Sequence, residues 1–483
     1  MPTSAILQRF RDAVTRNPER DAILGTDYAI TYSELESRAA SVARRIMDRT
    51  TGPTVALLYQ NKPEFAALLL GALWAGKIVS VLPTLAPPPL LKLMCMETGV
   101  DLIITSEEFV PALTAVGMSC WIGDSSPEFT PAQVPVQPVS GEVAVLLYTS
   151  GTTGRPKAVA LSEQNIISNI EGCIAATGYD DKQVMLAILP LFHAYGLTVS
   201  TLLPLTIGGS VVVPEKFIPR QVLQLIEKYR ISCLIAVPAQ YRVLVKEPTP
   251  VDASSLWLCI AGAERLPEQV AREFQARFHR PLVQGYGTTE LSPVVSFSPA
   301  EDNAPGSVGR PLPNIEVTIR DENDQPLPVG EIGEVCVAGP SVMLGYLGDR
   351  EATNRKIRAG VLHTSDKGCL DKDGYLHLVG RADDLVKVSG EKVYPSEVEN
   401  ALETIDGVEE AAVVALPDEK HGSRLEAYVQ LRQGVQLDEH QLRAACREML
   451  ESYKIPRGFH FVGQMPRTMT GKTDKRSLLT AAG

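Results

Sequence analysis

Ten residues, Tyr148 to Lys157 (YTSGTTGRPK), gather the groups that a polyphosphate needs. Thr149, Ser150, Thr152 and Thr153 carry hydroxyl donors, Gly151 and Gly154 free the backbone, and Arg155 and Lys157 bring positive charge. Glycines let successive N–H groups converge on one anion, and the cations offset its charge. Apolar runs flank the stretch, Val143 to Tyr148 and Ala158 to Leu161, so a phosphate-holding loop between two buried strands is expected. A plain polar turn is the alternative. The stretch is not a Walker A loop. That motif has four residues between its glycines and a Ser or Thr after its lysine, whereas two residues separate Gly151 from Gly154 and Ala158 follows Lys157. Because the chain runs on into a strand-like segment, no helix dipole is expected at the phosphates.

Such a loop needs a large scaffold. The 483 residues imply about three domains or large subdomains. A formal net charge of −11 excludes a general nucleic-acid or anionic-membrane surface, so any phosphate site must be built locally. Eight cysteines lie scattered in apolar segments without a CxxC pair, which reads as reduced core thiols in a cytoplasmic protein. The N-terminal MPTSAILQRFRDAV lacks the long apolar region of a signal peptide. The apolar helix Phe65 to Gly76 falls short of the roughly 20 residues that span a bilayer.

Strands alternate with helices through the first 300 residues. After Val55 to Tyr59, Asn61 is read as an N-cap with Pro63 in the first turn, and Gly76 ends that helix. Strands at 79–82 and 102–105 follow, then a Pro/Ser-rich connector at 124–140. Beyond the loop come helix 163–176, strand 184–189, helix 196–206, strand 210–213, helix 219–229 and strand 233–237. This rhythm predicts a parallel α/β sheet. From about 305, short strands between Gly and Pro predict a small β-barrel or sandwich. After Arg381 a compact α+β tail is expected: helix 395–405, strands 409–416 and 424–431, helix 438–450. The fold class is therefore α/β, with a large N-terminal domain over 1–382 and a small α+β C-terminal domain over 383–483.

Other stretches carry matching chemistry. In QGYGTTE, 284–290, Tyr286 between Gly285 and Gly287 can lie flat on a purine, and Glu290 can hold Mg²⁺ through water. Asp366, in LHTSDKG, is acceptor-only and matches a diol. Arg381 suits a forked contact with phosphate or ribose oxygens.

The phosphate loop, GYGTTE at 285–290, GRADDLVKVSGEKVYPSEVE at 380–399 and PRTMTGKTDK at 466–475 stand in the order and spacing of the acyl-adenylate-forming superfamily. The chain resembles that superfamily's acyl-CoA synthetases and aryl-CoA ligases, and YSELESRAASVA and NKPEFAALLLGALWAGKIV extend the resemblance over nearly its whole length. What this implies is ATP-dependent activation of a carboxylic acid as acyl-AMP, then transfer to a thiol. Tyr286 is expected on adenine, Thr289 at the α-phosphate, Glu290 at Mg²⁺, and Asp366 on the ribose. Asp383 is implied as the hinge of a mobile C-terminal lid, Lys472 as the lysine that the lid delivers during adenylation, and Gly390 as part of the segment presented to a pantetheine thiol. His193 is implied at the acyl pocket and thiol gate, with Val237 to Tyr241 and the AGAE segment, including Ala263 and Glu264, at other pocket positions. The family usually has Thr-Gly-Asp where this chain has Thr364-Ser365-Asp366, and Ser365 could shift the carboxylate. FHAY at 192–195 offers no carboxylate to pair a substrate ammonium, which favours simple acids over amino acids. SGEKVYPSEVE resembles CoA ligases and points to coenzyme A; the phosphopantetheine of an acyl carrier protein is the alternative acceptor, and a non-catalytic nucleotide- or acyl-binding relative the third reading.

Overall fold

The computed structural model describes residues 4–123, 125–139, 141–149, 156–297, 302, 304–418, 422–467 and 473–481. Ser150, Gly151, Thr152, Thr153, Gly154 and Lys472 lie outside the described residues, as does the side chain of Asp383.

Strands such as Cys233–Ala236 and Leu258–Ala261 are apolar and buried along their whole length. That pattern belongs to parallel strands covered on both faces. They lie in a nine-stranded sheet whose inner strands, from Val283–Gly287 to Asp21–Leu24, pair in parallel, with antiparallel strands at both edges. A seven-stranded sheet runs Gly345–Tyr346, Lys157–Ser162, Val143–Thr149, Ile78–Val81, Thr54–Leu58, Leu102–Thr105 and Trp121–Ile122. Its last five strands are parallel and its first two are antiparallel additions. Helix Glu64–Trp74 is buried on every side from Phe65 to Trp74, as expected of a helix that is apolar all round.

The connector over 124–140 is a strap rather than a free linker. The Ser41 hydroxyl accepts from the N–H groups of Glu128 and Phe129, and Trp74 Nε1 donates to Val134 O at 3.1 Å. Gly76 has φ +66°, and a Cβ there would sit 2.2 Å from Pro138 O, so only glycine lets the strap cross.

Two local expectations are corrected. Asn61 does not cap helix Glu64–Trp74; Pro63 takes that position. The Asn61 side chain instead donates to Leu189 O at 2.7 Å and accepts from Leu191 N at 3.0 Å, tying one sheet to the segment before His193. The helix expected at 196–206 is wound in wide π-type turns over Tyr195–Leu202 and becomes α-helical only at Leu203–Ile207. Pro204 stands in the first turn of the α-helical part, a position that tolerates its missing N–H.

A third sheet is antiparallel. Its ten-residue strand Val361–Leu370 pairs with Gly333–Ala338 on one edge and with Ile357–Arg358 and Leu376–Arg381 on the other. The tail follows the expected boundaries within about two residues: helix Pro395–Thr404, strands Val408–Asp418 and Gly422–Leu431, helix Glu439–Met449. Its core of Val393, Val398, Leu402, Val413, Val429 and Leu442 is separate from those of the larger sheets.

Candidate active site

Val143–Thr149 and Lys157–Ser162 form an antiparallel hairpin closed by Thr149 opposite Lys157, so the residues between them connect two strands. A strand, not a helix, follows the phosphate loop. Lys157 Nζ lies 5.0 Å from the centroid of the Tyr346 ring and 3.9 Å from Asp349 Oδ2. Gly345–Tyr346 is the edge strand beside this hairpin, pairing with Val159 and Ala160. The Tyr346 hydroxyl donates to Glu290 Oε1 at 2.7 Å, and Met343 N donates to Glu290 O at 2.9 Å. Burial, reinforced by Glu290, pushes the Tyr346 phenol well above its ordinary pKa and keeps it a donor. Thr289 opens the short turn Thr289–Leu291 that carries Glu290.

Three residues earlier than Thr289, Tyr286 is the buried penultimate residue of strand Val283–Gly287 and donates its hydroxyl to Asp366 Oδ2 at 2.5 Å. Asp366 faces Arg381 across the third sheet, with Arg381 Nε 3.8 Å from its Oδ1. Burial raises the Asp366 pKa, and the hydrogen bond from Tyr286 and the charges of Arg381 and Lys356 oppose that rise. Ser365 stands at φ +66°. Its N–H donates to Glu334 Oε1 at 2.8 Å, and its Oγ accepts from Lys356 Nζ at 2.7 Å. Glu334 is braced in turn by His363 Nδ1 at 3.2 Å, and Cys336 Sγ lies 3.4 Å from the same nitrogen. Glu334, Cys336 and His363 form the one group of three metal-capable donors among the described residues. Their hydrogen bonds account for the cluster, and burial pushes the Cys336 thiol up to about 12.

Tyr195 borders an apolar cavity. Cys173, Tyr195, Val199, Ile235, Ile260 and Phe297 line a cavity of about 20 Å³ in which no lining residue is charged. The Tyr195 ring closes it: a Cβ on Gly262 would lie 3.7 Å from Tyr195 Cζ, and one on Gly285 would lie 3.2 Å from its hydroxyl. Gly285 therefore leaves room for this ring. His193 sits two residues before Tyr195, half-buried, with its ring 4.5 Å from that of Phe192. Ala263 takes φ +70°, turning the chain toward Glu264.

Glu264 meets the C-terminal part, its Oε1 accepting from Thr473 N at 3.3 Å. Glu410, buried on strand Val408–Asp418, accepts from Arg242 at 2.8 Å, from Arg467 at 2.5 Å and from the Thr473 hydroxyl at 2.7 Å. Arg467 and Thr473, which also bridge each other, flank the segment that contains Lys472. Asp383 falls in the short turn Ala382–Asp384 at the start of the tail. Gly390, with φ +88°, is exposed in the hairpin turn between Val386–Val388 and Glu391–Val393.

One set of contacts thus runs from Lys157 through Tyr346 to Glu290 and another from Tyr286 through Asp366 to Arg381, the two joined by the chain between Tyr286 and Glu290, and Glu264 meets Thr473 beside Lys472. Sequence reasoning missed Tyr346, Lys356 and Thr288, whose hydroxyl is buried without a hydrogen-bond partner among the described residues. The only signal for Tyr346 was a Gly-Tyr pair in SVMLGYLGD, and Lys356 read as one charge among several.

Residues 10–347 match the family model described as AMP-binding enzyme, and residues 397–472 match the AMP-binding enzyme C-terminal domain. The chain is 33% identical over 465 residues to a feruloyl-CoA synthase of Amycolatopsis sp, covering 94% of each. It is 30% identical over 534 residues to a long-chain-fatty-acid–CoA ligase of Bacillus subtilis, covering 99% of this chain and 95% of that one. The structure of ATP-bound MatB from Rhodopseudomonas palustris superposes with a TM-score of 0.91 at 29% identity, covering 99% of both chains. The apo form of MatB gives 0.82 over the same coverage. No helix among the described residues is long and apolar enough to cross a membrane. The chain belongs to the AMP-binding enzyme family.

Proposed function

We propose that this chain activates a carboxylic acid with ATP and transfers the acyl group to the thiol of coenzyme A. It is an AMP-forming acid–thiol ligase. In the first half-reaction a carboxylate oxygen attacks the α-phosphorus of ATP, the bond to the β-phosphate oxygen breaks, and pyrophosphate leaves. In the second, the thiol sulfur attacks the acyl carbon, its proton is lost, and AMP departs. The observation that carries this reading is a pair of contact sets, Lys157–Tyr346–Glu290 and Tyr286–Asp366–Arg381, joined by the short run of chain from Tyr286 to Glu290. It borders the loop over 150–155 with one pole of cations and carboxylates and one pole fit for a nucleoside.

On this reading Tyr286 takes the adenine, Asp366 the ribose hydroxyls with Arg381 beside it, and Thr149, Lys157 and the loop the departing pyrophosphate. Thr289 serves the α-phosphate. With Oε1 engaged by Tyr346, Glu290 keeps Oε2 for Mg²⁺, and a single carboxylate completed by phosphate oxygens and water suits that ion. Bound there, Mg²⁺ would neutralise charge on the phosphates. Lys472 neutralises the carboxylate and the α-phosphate as they approach, a role of positioning and electrostatics. The residues after 382 form a lid hinged at Asp383; its separate core and the turn Ala382–Asp384 support that boundary. The closer likeness to ATP-bound than to apo MatB supports reading this arrangement as the adenylating one. Phe192, His193, Ala194 and Tyr195 offer no carboxylate to pair an ammonium, which supports a simple carboxylic acid rather than an amino acid. Eight unpaired cysteines support a cytoplasmic setting.

The test is pyrophosphate release over aliphatic, aryl and amino acids, each with CoA, with an acyl carrier protein, and with neither. Acid-dependent release followed by CoA-dependent thioester is expected. Lys472→Ala should slow adenylation by about 10²–10³ and spare transfer from supplied acyl-AMP; equal loss in both steps would refute the lid's role.

A further inference from the structure

We infer that Lys356 is a positioning residue for nucleotide binding, holding the Ser365 turn in the one conformation that aims Asp366 at the ribose. The inference rests on the reading of Asp366 as the ribose-binding carboxylate.

The need for such a residue comes from Ser365. At φ +66° an L-residue pays for the approach of its Cβ to the carbonyl oxygen, enough to depopulate that conformer about tenfold. Glycine would carry no such penalty. Something must therefore hold Ser365 in place. Lys356, the last residue of helix Arg350–Lys356, donates to Ser365 Oγ at 2.7 Å and to Thr364 O at 3.1 Å, clamping the turn from one side. Glu334 Oε1 takes the Ser365 N–H at 2.8 Å from the other. The Thr364 hydroxyl donates to Val335 O at 2.8 Å and accepts from Asp366 N at 3.0 Å, passing the constraint to the carboxylate. Asp366 then meets Tyr286.

The cation is not an idle surface charge. Its ammonium is half-buried, and burial lowers its pKa while Glu290, Glu334 and Asp366 act to raise it. A half-buried ammonium with two hydrogen bonds to one turn is a costly placement that an exposed helix end does not require. Without Lys356, Ser365 keeps only the Glu334 bond on its N–H, and the strained φ > 0 conformer loses population. Only the fraction of molecules that keep the turn would bind a ribose, and apparent affinity falls by that fraction.

The experiment measures dissociation constants of AMP and of 2′,3′-dideoxy-AMP for the full chain and four variants: Lys356→Met, Ser365→Gly, their combination, and Asp366→Asn. Asp366→Asn is expected to weaken AMP but not the dideoxy analogue. Lys356→Met should weaken AMP up to about tenfold, again sparing the analogue, and should raise KM for ATP more than it lowers kcat. Adding Ser365→Gly to Lys356→Met should recover most of the AMP affinity, because glycine holds the turn without the clamp. If Asp366→Asn shows no dependence on the diol, the reading of the ribose site fails and the inference falls with it. If Asp366→Asn behaves as expected while Lys356→Met keeps AMP affinity, loses both ligands equally, or gains nothing from Ser365→Gly, the clamp alone is overturned.

Discussion

Glu403 offers a direct quantitative check on the packing inside the C-terminal part, between helix Pro395–Thr404 and strand Val408–Asp418. Its carboxyl lies near the end of helix Pro395–Thr404, where among the described residues Oε1 accepts one long hydrogen bond, 3.3 Å, from Ala411 N. Burial pushes its pKa from 4.5 to about 7, with Glu399 and Glu410 adding to the rise and Arg242 and the Ala411 bond opposing it. A raised carboxyl favours the folded state while protonated in both states, below pH 4.5, and that advantage is lost as pH rises through about 7. A displacement of this size corresponds to about 3 kcal/mol. Glu403→Gln keeps the shape and the acceptor but never ionises. Hydrogen exchange at the central amides of strand Val408–Asp418, Ala411 to Val414, reports opening of this sheet. Between pH 5.5 and 8.5 the variant should gain about 2 kcal/mol over the parent, the part of the linkage that falls in that window. Using the difference between the two proteins cancels the other carboxylates. A gap that stays constant over those pH values, or that narrows, would refute the enclosure of Glu403.

Glu410→Gln removes the charge that gathers Arg242, Arg467 and Thr473; adenylation is expected to fall about tenfold or more, the scale of lost charge-assisted bonds. Thiol transfer from supplied acyl-AMP should be spared, and single-turnover measurements of the two half-reactions would read the difference. Tyr195→Ala should open the cavity beside Gly262 and Gly285 and shift preference toward bulkier acids by about tenfold or more. Competition between acids of graded size checks this, and an unchanged ranking would remove Tyr195 from the pocket wall.

The gross fold was legible because apolar runs at strand length alternate with amphipathic helices, and because the tail's caps and turns are local. Glu439–Met449 begins at Asp438, whose side chain accepts from Gln441 N, a signal contained within four residues. What escaped was tertiary. Asn61 has the composition of an N-cap, yet its amide is spent on Leu189 and Leu191, more than 120 residues away. Lys356 belongs to a charged run, REATNRK, and only the pairing of Ile357–Arg358 with Leu362 and Val361 turns it toward Ser365. Ser365 itself was flagged, and the positive φ found there is the physical reason for the flag. Tyr346 becomes informative only once the edge strand brings it beneath Lys157.

The two halves of the site are held by different physics, and the difference suits the two half-reactions. Tyr286, Glu290 and Asp366 stand on or beside strands packed against the large apolar core, so a nucleotide bound as proposed would meet a fixed frame. The C-terminal part meets the rest largely through charged and polar groups: Glu410 with Arg242, Glu409 with Lys246, and Glu264 with the Thr473 N–H, while Arg467 joins Glu410 from its own side. A buried ion pair sets register and orientation but yields little net stability, because desolvation offsets much of the attraction. An apolar seal of the same extent would hold the lid shut through both steps. If the C-terminal part is the lid proposed above, ion pairs that water can replace on opening would let it leave after adenylation at modest cost, as alternation between two chemistries on one acyl group requires.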